Sequence, residues 1–157
     1  MAPAEITIAP DRQDITTTVT FDAPPAAVFR AITDPELIPR WWGGGNFETT
    51  VERLDLRPGG LWCYVSRDPA GTPSVFRGVC HDVDAPKRLV QTLELEGVPG
   101  GVQLGVFTFE DLGGRTLHRQ VSVFQSVEER DAWVHPGMSE IMREGMRRVG
   151  EIAEGLS

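Results

Sequence analysis

A chain of 157 residues, 40% hydrophobic and 24% charged, is long enough for one domain with a sizeable core and lies far from the composition of disordered chains. Its 23 acidic residues outnumber 15 basic ones, for a net charge of -8, and such a surface repels phosphate backbones and anionic lipid, which argues against nucleic acid and membrane partners. The first ten residues carry neither a basic segment nor an apolar one, and no run approaches the roughly 18 apolar residues of a membrane span, so a cytoplasmic location is expected.

Residues 1–13 are polar and contain proline, and they read as an irregular lead-in to a single domain over 1–157. From Ile15 to Phe21, apolar Ile15, Val19 and Phe21 share a phase with Thr17 and alternate with Thr16, Thr18 and Thr20, the pattern of a strand with one buried face. Pro24-Pro25 ends it. Val28, Phe29 and Ile32 then fall at helical spacing, and Asp34-Pro35 predicts the start of a second short helix, because proline at the first helical position gives up an N–H that has no partner there anyway. Pro39, Trp41-Trp42 and Gly43-Gly44-Gly45 close that helix in a loop.

Beyond the loop the period returns to two. Strands are predicted near 47–56, 60–67, 74–84, 88–96, 102–111 and 115–124, separated by Pro58-Gly59-Gly60, Asp68-Pro69-Ala70-Gly71, Ala85-Pro86, Gly97 to Gly101 and Gly113-Gly114. Turn signals at this spacing describe an antiparallel meander of short hairpins. Ser126-Val127-Glu128-Glu129 has capping-box spacing and opens a short helix broken at Pro136-Gly137. A longer helix over about 138–156 carries Met138, Ile141, Met142, Met146, Val149, Ile152, Ala153 and Leu156 as one apolar stripe. Arg143, Arg147 and Arg148 fall on its other side among Glu144, Glu151 and Glu154, as a solvated ion-pair face. The stripe needs an apolar partner, and the sheet is the one large candidate. The expected architecture is therefore α+β: a curved antiparallel sheet of about six to seven strands wrapped around a long C-terminal helix, with two short helices after the first strand.

A set of local motifs narrows this further. Phe21-x-Ala23-Pro24, Val28-Phe29-x-Ala31, Asp34-Pro35-x-Leu37, Trp41-Trp42-Gly43, Asp55-x-Arg57-Pro58-Gly59-Gly60-x-Trp62, Gly78-Val79, Pro86-x-Arg88-Leu89-Val90 before Thr92, and Gly137-Met138 occur in that order. Together they resemble the START-like (SRPBCC, helix-grip) superfamily and, within it, the activator of Hsp90 ATPase homologue-like domain family, over about residues 21–156. The chain departs from many relatives in having Ile141-Met142 where they have a glycine and a bulky residue, and larger side chains there would narrow the space between helix and sheet. The resemblance implies an internal cavity, which different members use for lipids, hormones, polyketides or other apolar molecules, while the eukaryotic co-chaperone stimulates Hsp90. A shared fold does not carry a function with it.

Alternation along the strands selects candidate cavity residues. Arg119 falls in phase with Leu117, Val121 and Val123, and an arginine on an apolar face calls either for an acidic partner such as Glu94 or Glu110 or for a ligand anion. His81 falls in phase with Val79 and Val83, as a hydrogen-bonded core residue or as an acid–base group, while His118 is read as pointing outward. Trp62 and Tyr64 share one face, Trp41 and Trp42 approach from the helical side, and Phe107 and Phe109 lie on the strand over 102–111. Each ring serves equally well as core or as lining. Met138, Met142 and Met146 are flexible fillers that suit either a packed core or an adaptable cavity.

Cys63 and Cys80 read as reduced thiols, and three scattered histidines form no metal site. No nucleophile elbow, P-loop or dinucleotide fingerprint is present, so no cofactor is expected and no catalytic residue is assigned. Arg57 is read as bracing its hairpin against Asp55 or Asp34. The sequence thus favours a protein that binds a small, largely apolar molecule rather than an enzyme. A cyclase or dehydratase using His81 is the alternative, and a chaperone-interaction module a third, less favoured one. Pairing of two copies stays open, since no exposed segment is uniquely apolar.

Overall fold

In the computed structural model, which describes residues 3–157, eight strands form one open antiparallel sheet. The elements in chain order are β1 (Glu5–Thr7), β2 (Asp14–Phe21), α1 (Pro25–Thr33), β3 (Glu48–Leu54), β4 (Leu61–Arg67), β5 (Pro73–Asp84), β6 (Arg88–Leu95), β7 (Gln103–Asp111), β8 (Thr116–Val123), α2 (Val127–Trp133) and α3 (Met138–Leu156). The strand order is β1-β2-β8-β7-β6-β5-β4-β3. Strands β3 to β8 are a meander of hairpins, and β2 reaches β8 across the sheet, so the first long strand and the last lie side by side. The sheet grips α3, as the apolar stripe requires.

Three segments depart from expectation. Part of the predicted lead-in, Glu5–Thr7, pairs with Thr16–Thr18 as an edge strand, and Ala4 beside it is buried. Three residues are too few to show alternation, so the strand count rises to eight. Met1 and Ala2, the rest of that lead-in's start, lie outside the described residues. The second short helix is not an α-helix: a turn after Asp34 leads into a 3-10 segment at Ile38–Arg40 and then a glycine turn over Trp42–Gly45, where Gly43 and Gly44 take positive φ. Asp34 still receives the backbone N–H of Glu36 at 2.9 Å, so the capping chemistry is present on a tighter turn. The other boundaries fall within about two residues of expectation, and Ser126 accepts the Glu129 N–H at 3.1 Å as the capping box requires.

The two halves of α3 meet different surroundings. Its C-terminal half contributes Met146, Val149, Ile152 and Ala153 to a packed cluster with Val28, Phe29 and Ile32 of α1, Val19 and Phe21 of β2, and Phe109 of β7. Its N-terminal end places Met138 in a smaller cluster with Ile15 and Phe124, flanked by Trp133 and Met142. A third cluster, Ile38, Trp62, Tyr64 and Cys80, lies toward the β3–β4 side. On the outer face of α3, Arg147 bridges Glu144 and Glu151, and Arg148 also reaches Glu144 at 3.1 Å. These exposed pairs are screened by solvent and contribute little each.

The phase of β8 is opposite to expectation. Thr116 and His118 are fully buried, whereas Arg119 is exposed on the outer face. Leu117, Val121 and Val123 point outward with it, where they pair across strands with Glu110, Val106 and Leu104. Cross-strand pairs of this kind stabilise an exposed face, so an apolar alternation need not mark the core. His81 is likewise exposed: Cys80 takes the inward position with 0% exposure, so His81 lies outside with Val79, and an irregularity between Cys80 and Asp82 then turns Val83 inward. Glu94, suggested as a partner for Arg119, pairs instead with Arg77.

His118 is thus the histidine of the core. Its Nδ1 lies 3.0 Å from the Thr108 carbonyl, so Nδ1 carries the proton and donates, and the ring stacks on Phe109 with centroids 4.7 Å apart. Nε2 is buried without a partner. Desolvation lowers the pKa from 6.5 to about 4, against a smaller opposing effect of the Thr108 hydrogen bond. Because the folded value is depressed, the unfolded chain binds the extra proton first. The neutral ring's contribution is complete above pH 6.5 and is lost as pH falls toward 4, amounting to about 3 kcal/mol over the whole window. Urea unfolding of the wild type is expected to show that loss on acidification, and His118→Phe is expected to flatten it. Carboxylates held low by arginine, such as Glu144 at about 2 beside Arg147, release their contribution only at lower pH.

Candidate functional site

Between the N-terminal half of α3 and the sheet lies a cavity of about 440 Å³, within the range that holds a small organic ligand. Its roof is Met138, Ile141, Met142, Gly145 and Met146. Its floor is the inner face of six strands, including Ile15, Gln120, Ser122, Gln103, Leu93, Leu95, Ser74 and Phe76. Trp41, Trp42, Gly43 and Phe47 close one end, and Ala132, Trp133 and His135 form the other, where exposed Ala132 and His135 mark the rim. Ile141 and Met142, expected to narrow the space between helix and sheet, border the cavity without filling it.

Backbone-to-backbone contact holds the Trp41–Gly45 strap against α3. A Cβ added at Gly44 would come within 3.1 Å of the Ile141 carbonyl oxygen, and one added at Gly145 within 3.2 Å of the Trp41 carbonyl oxygen. Arg148 donates from Nη1 to the Arg40 carbonyl at 3.3 Å and covers Gly45. The strap aims its two indoles differently. Trp41 donates from Nε1 to the Ala31 carbonyl at 2.9 Å, anchoring the strap to the end of α1. Trp42 turns toward the sheet, 4.9 Å from Tyr64 and 5.4 Å from Phe76 between ring centroids, both edge-on.

Of the residues singled out by sequence, Trp41, Trp42, Met138, Met142 and Met146 come together around the cavity. Trp62 and Tyr64 sit one layer behind, buried against Trp42, with the Trp62 Nε1 donating to the Thr92 carbonyl at 3.0 Å. Burial pushes the Tyr64 phenol well above its usual range and keeps it protonated. Phe109 packs on Phe29 and His118, and Phe107 lies parallel to His118, in the core rather than at the cavity. His81 and Arg119, exposed on the far side of the sheet, take no part.

Sequence reasoning missed the polar floor. Gln103 and Gln120 bring amides, and Ser74 and Ser122 bring hydroxyls, to the cavity surface. Ser66 also borders it but is engaged with Thr49 at 2.9 Å. Gln120 and Ser122 stand in the same phase of β8 as buried His118, so a correct phase for β8 would have found them, and Gln103 lies on the same face of β7. Among the described residues lining the cavity, His135 at the rim is the one titratable side chain, and no group of three or more His, Cys, Asp or Glu comes together to hold a metal. Cys63 and Cys80 are free thiols. No described helix is long and apolar enough to cross a membrane.

The strap geometry makes a graded prediction. Gly44→Ala combines a left-handed backbone, φ +67, with a clash against the Ile141 carbonyl, whereas Gly59→Ala has φ +81 and open space around it. Chemical denaturation is expected to show about 1 kcal/mol lost for Gly59→Ala and about 2–3 kcal/mol for Gly44→Ala.

The fold recurs in solved structures. A protein from Arthrobacter aurescens matches with a TM-score of 0.86 at 24% identity, over 96% of this chain and 91% of its own. One from Mycobacterium smegmatis gives 0.85 at 24% identity, over 96% of each chain, and one from Rhodobacter sphaeroides gives 0.88 at 22%, over 98% and 99%. A search of curated proteins returned no match. The family model described as "Activator of Hsp90 ATPase homolog 1-like protein" matches residues 22–151, which spans α1 through most of α3. The strap, strands β3 to β8 and most of α3 fall within that match, and the chain belongs to the activator of Hsp90 ATPase homolog 1-like family.

Proposed function

We propose that this protein binds a small, largely apolar molecule in the cavity beneath the N-terminal half of α3. The observation that supports the reading most directly is the contrast along one helix. Val149, Ile152 and Ala153 meet a filled core, while one to three turns earlier Met138, Met142 and Met146 stand over about 440 Å³ of space. Such a hollow forgoes dispersion contacts that side chains could have filled, and larger residues at Ser122 or Ser74 would have closed it. Methionine roofs adapt to an occupant because their three torsions rearrange at little cost. The exposed rim at Ala132 and His135 supplies an entrance.

Binding is favoured over acid–base catalysis by the chemistry of the lining. The histidine proposed as a catalytic group, His81, lies outside the cavity, and the buried His118 is held neutral among phenylalanines away from it. A general acid or base must reach the reacting proton within about 3 Å or through one water, and the cavity floor offers amides and hydroxyls for that place.

Native mass spectrometry of the protein as purified is expected to show adducts of a small organic molecule. Met142→Trp, which fills the space from the roof, is expected to abolish them while the thermal midpoint stays near that of the wild type. Adducts that persist in Met142→Trp would place the molecule elsewhere, and their absence from the wild type at saturating concentrations of apolar probes would remove the reading.

A further inference from the structure

The cavity lining also bears on which molecules it accepts, an inference that rests on the binding function proposed above. The chain has fourteen arginines and one lysine, yet among the described residues no arginine or lysine lines the cavity. The one buried arginine or lysine among them, Arg130, lies at α2 and is already committed to the carbonyls of Ala9 and Arg12 and to Asp131. A carboxylate or sulfonate drawn into this space would lose its water and find no countercharge, which is strongly unfavourable. The net charge of -8 adds repulsion on approach.

The floor is equally unsuited to a pure hydrocarbon. Gln103, Gln120 and Ser122 gather on β7 and β8, each able both to donate and to accept. Covering these groups with an alkyl surface strands them without hydrogen-bond partners, which is unfavourable. At the other end, Trp42, Phe76 and Met142 present ring faces and a thioether. The two ends ask for different chemistry.

We propose that the site selects uncharged molecules with an apolar, ring-containing body and a hydroxyl or carbonyl at one end. The body lies against Trp42, Phe76 and Met142, and the polar end reaches the Gln103, Gln120 and Ser122 cluster. Ligands that depend on an ionised acid group are refused.

Two fluorescent naphthalenes of similar size test this. Prodan is neutral and carries a ketone, and anilinonaphthalene sulfonate carries a permanent negative charge. Titration of the full chain is expected to give prodan an affinity at least about tenfold higher than the sulfonate, and Gln120→Leu is expected to weaken prodan by about tenfold, one hydrogen bond's worth. Gln103→Leu serves as a second variant should Gln120→Leu lose its folded circular dichroism spectrum. Equal or tighter binding of the sulfonate, competed by Met142→Trp, would overturn the charge selectivity and leave the cavity function standing. Prodan binding unchanged in both folded glutamine variants would overturn the assignment of the polar end. Failure of both probes to bind the wild type would overturn the cavity function itself.

Discussion

The close approach of the Trp41–Gly45 strap to α3 is the contact on which the site depends. Two glycines, Gly44 on the strap and Gly145 on the helix, let each backbone touch the other's carbonyl with no side chain between. That contact fixes the height of α3 above the sheet at its N-terminal half, while the α1 cluster fixes it at the other. Clamped at two places, the helix cannot settle onto the small residues below it. The same strap delivers Trp42 beneath the helix and ties Trp41 to α1, so one short segment sets both the height of the roof and the end wall of the hollow.

Most of the architecture was legible in the sequence because it follows from period and punctuation. The apolar stripe of α3 matches its buried side, and the six predicted hairpin strands lie where the Gly and Pro turns put them. The failures have one physical origin. A strand has two faces, and alternation alone cannot say which is inside when both carry apolar residues. On β8, Leu117, Val121 and Val123 form an outer ladder, while the inner face carries Thr116, His118, Gln120 and Ser122. The more hydrophobic face is turned to solvent because the inner one borders a cavity and a hydrogen-bonded histidine. On β5 the extra residue turns Val83 inward and leaves His81 outside with Val79. The inversion of hydrophobic pattern on β8 is thus a mark of the site, and Gln120 and Ser122 are what that strand presents to the cavity.

His118 and the cavity floor illustrate two ways in which the inner face carries polarity. His118 has one nitrogen satisfied by Thr108 and the other sealed among aromatic rings, so its role is structural and its neutrality is imposed by burial. Gln103, Gln120 and Ser122, on the same inner face of β7 and β8, line the open space. The passage from filled core to hollow therefore runs along the strands themselves, parallel to the change along α3 above them. Helix and sheet agree on where packing stops.

The borders of the sheet carry a consequence of their own. One is Glu5–Thr7, only three residues long, and the other is β3, whose pairing is interrupted between Val51 and Arg53 and whose Glu48, Glu52 and Arg53 are exposed. Brevity at one margin, and charge with a break in register at the other, deny an incoming chain a straight template of free amides and carbonyls. An open eight-stranded surface of this width can thus remain in solution without growing by strand addition.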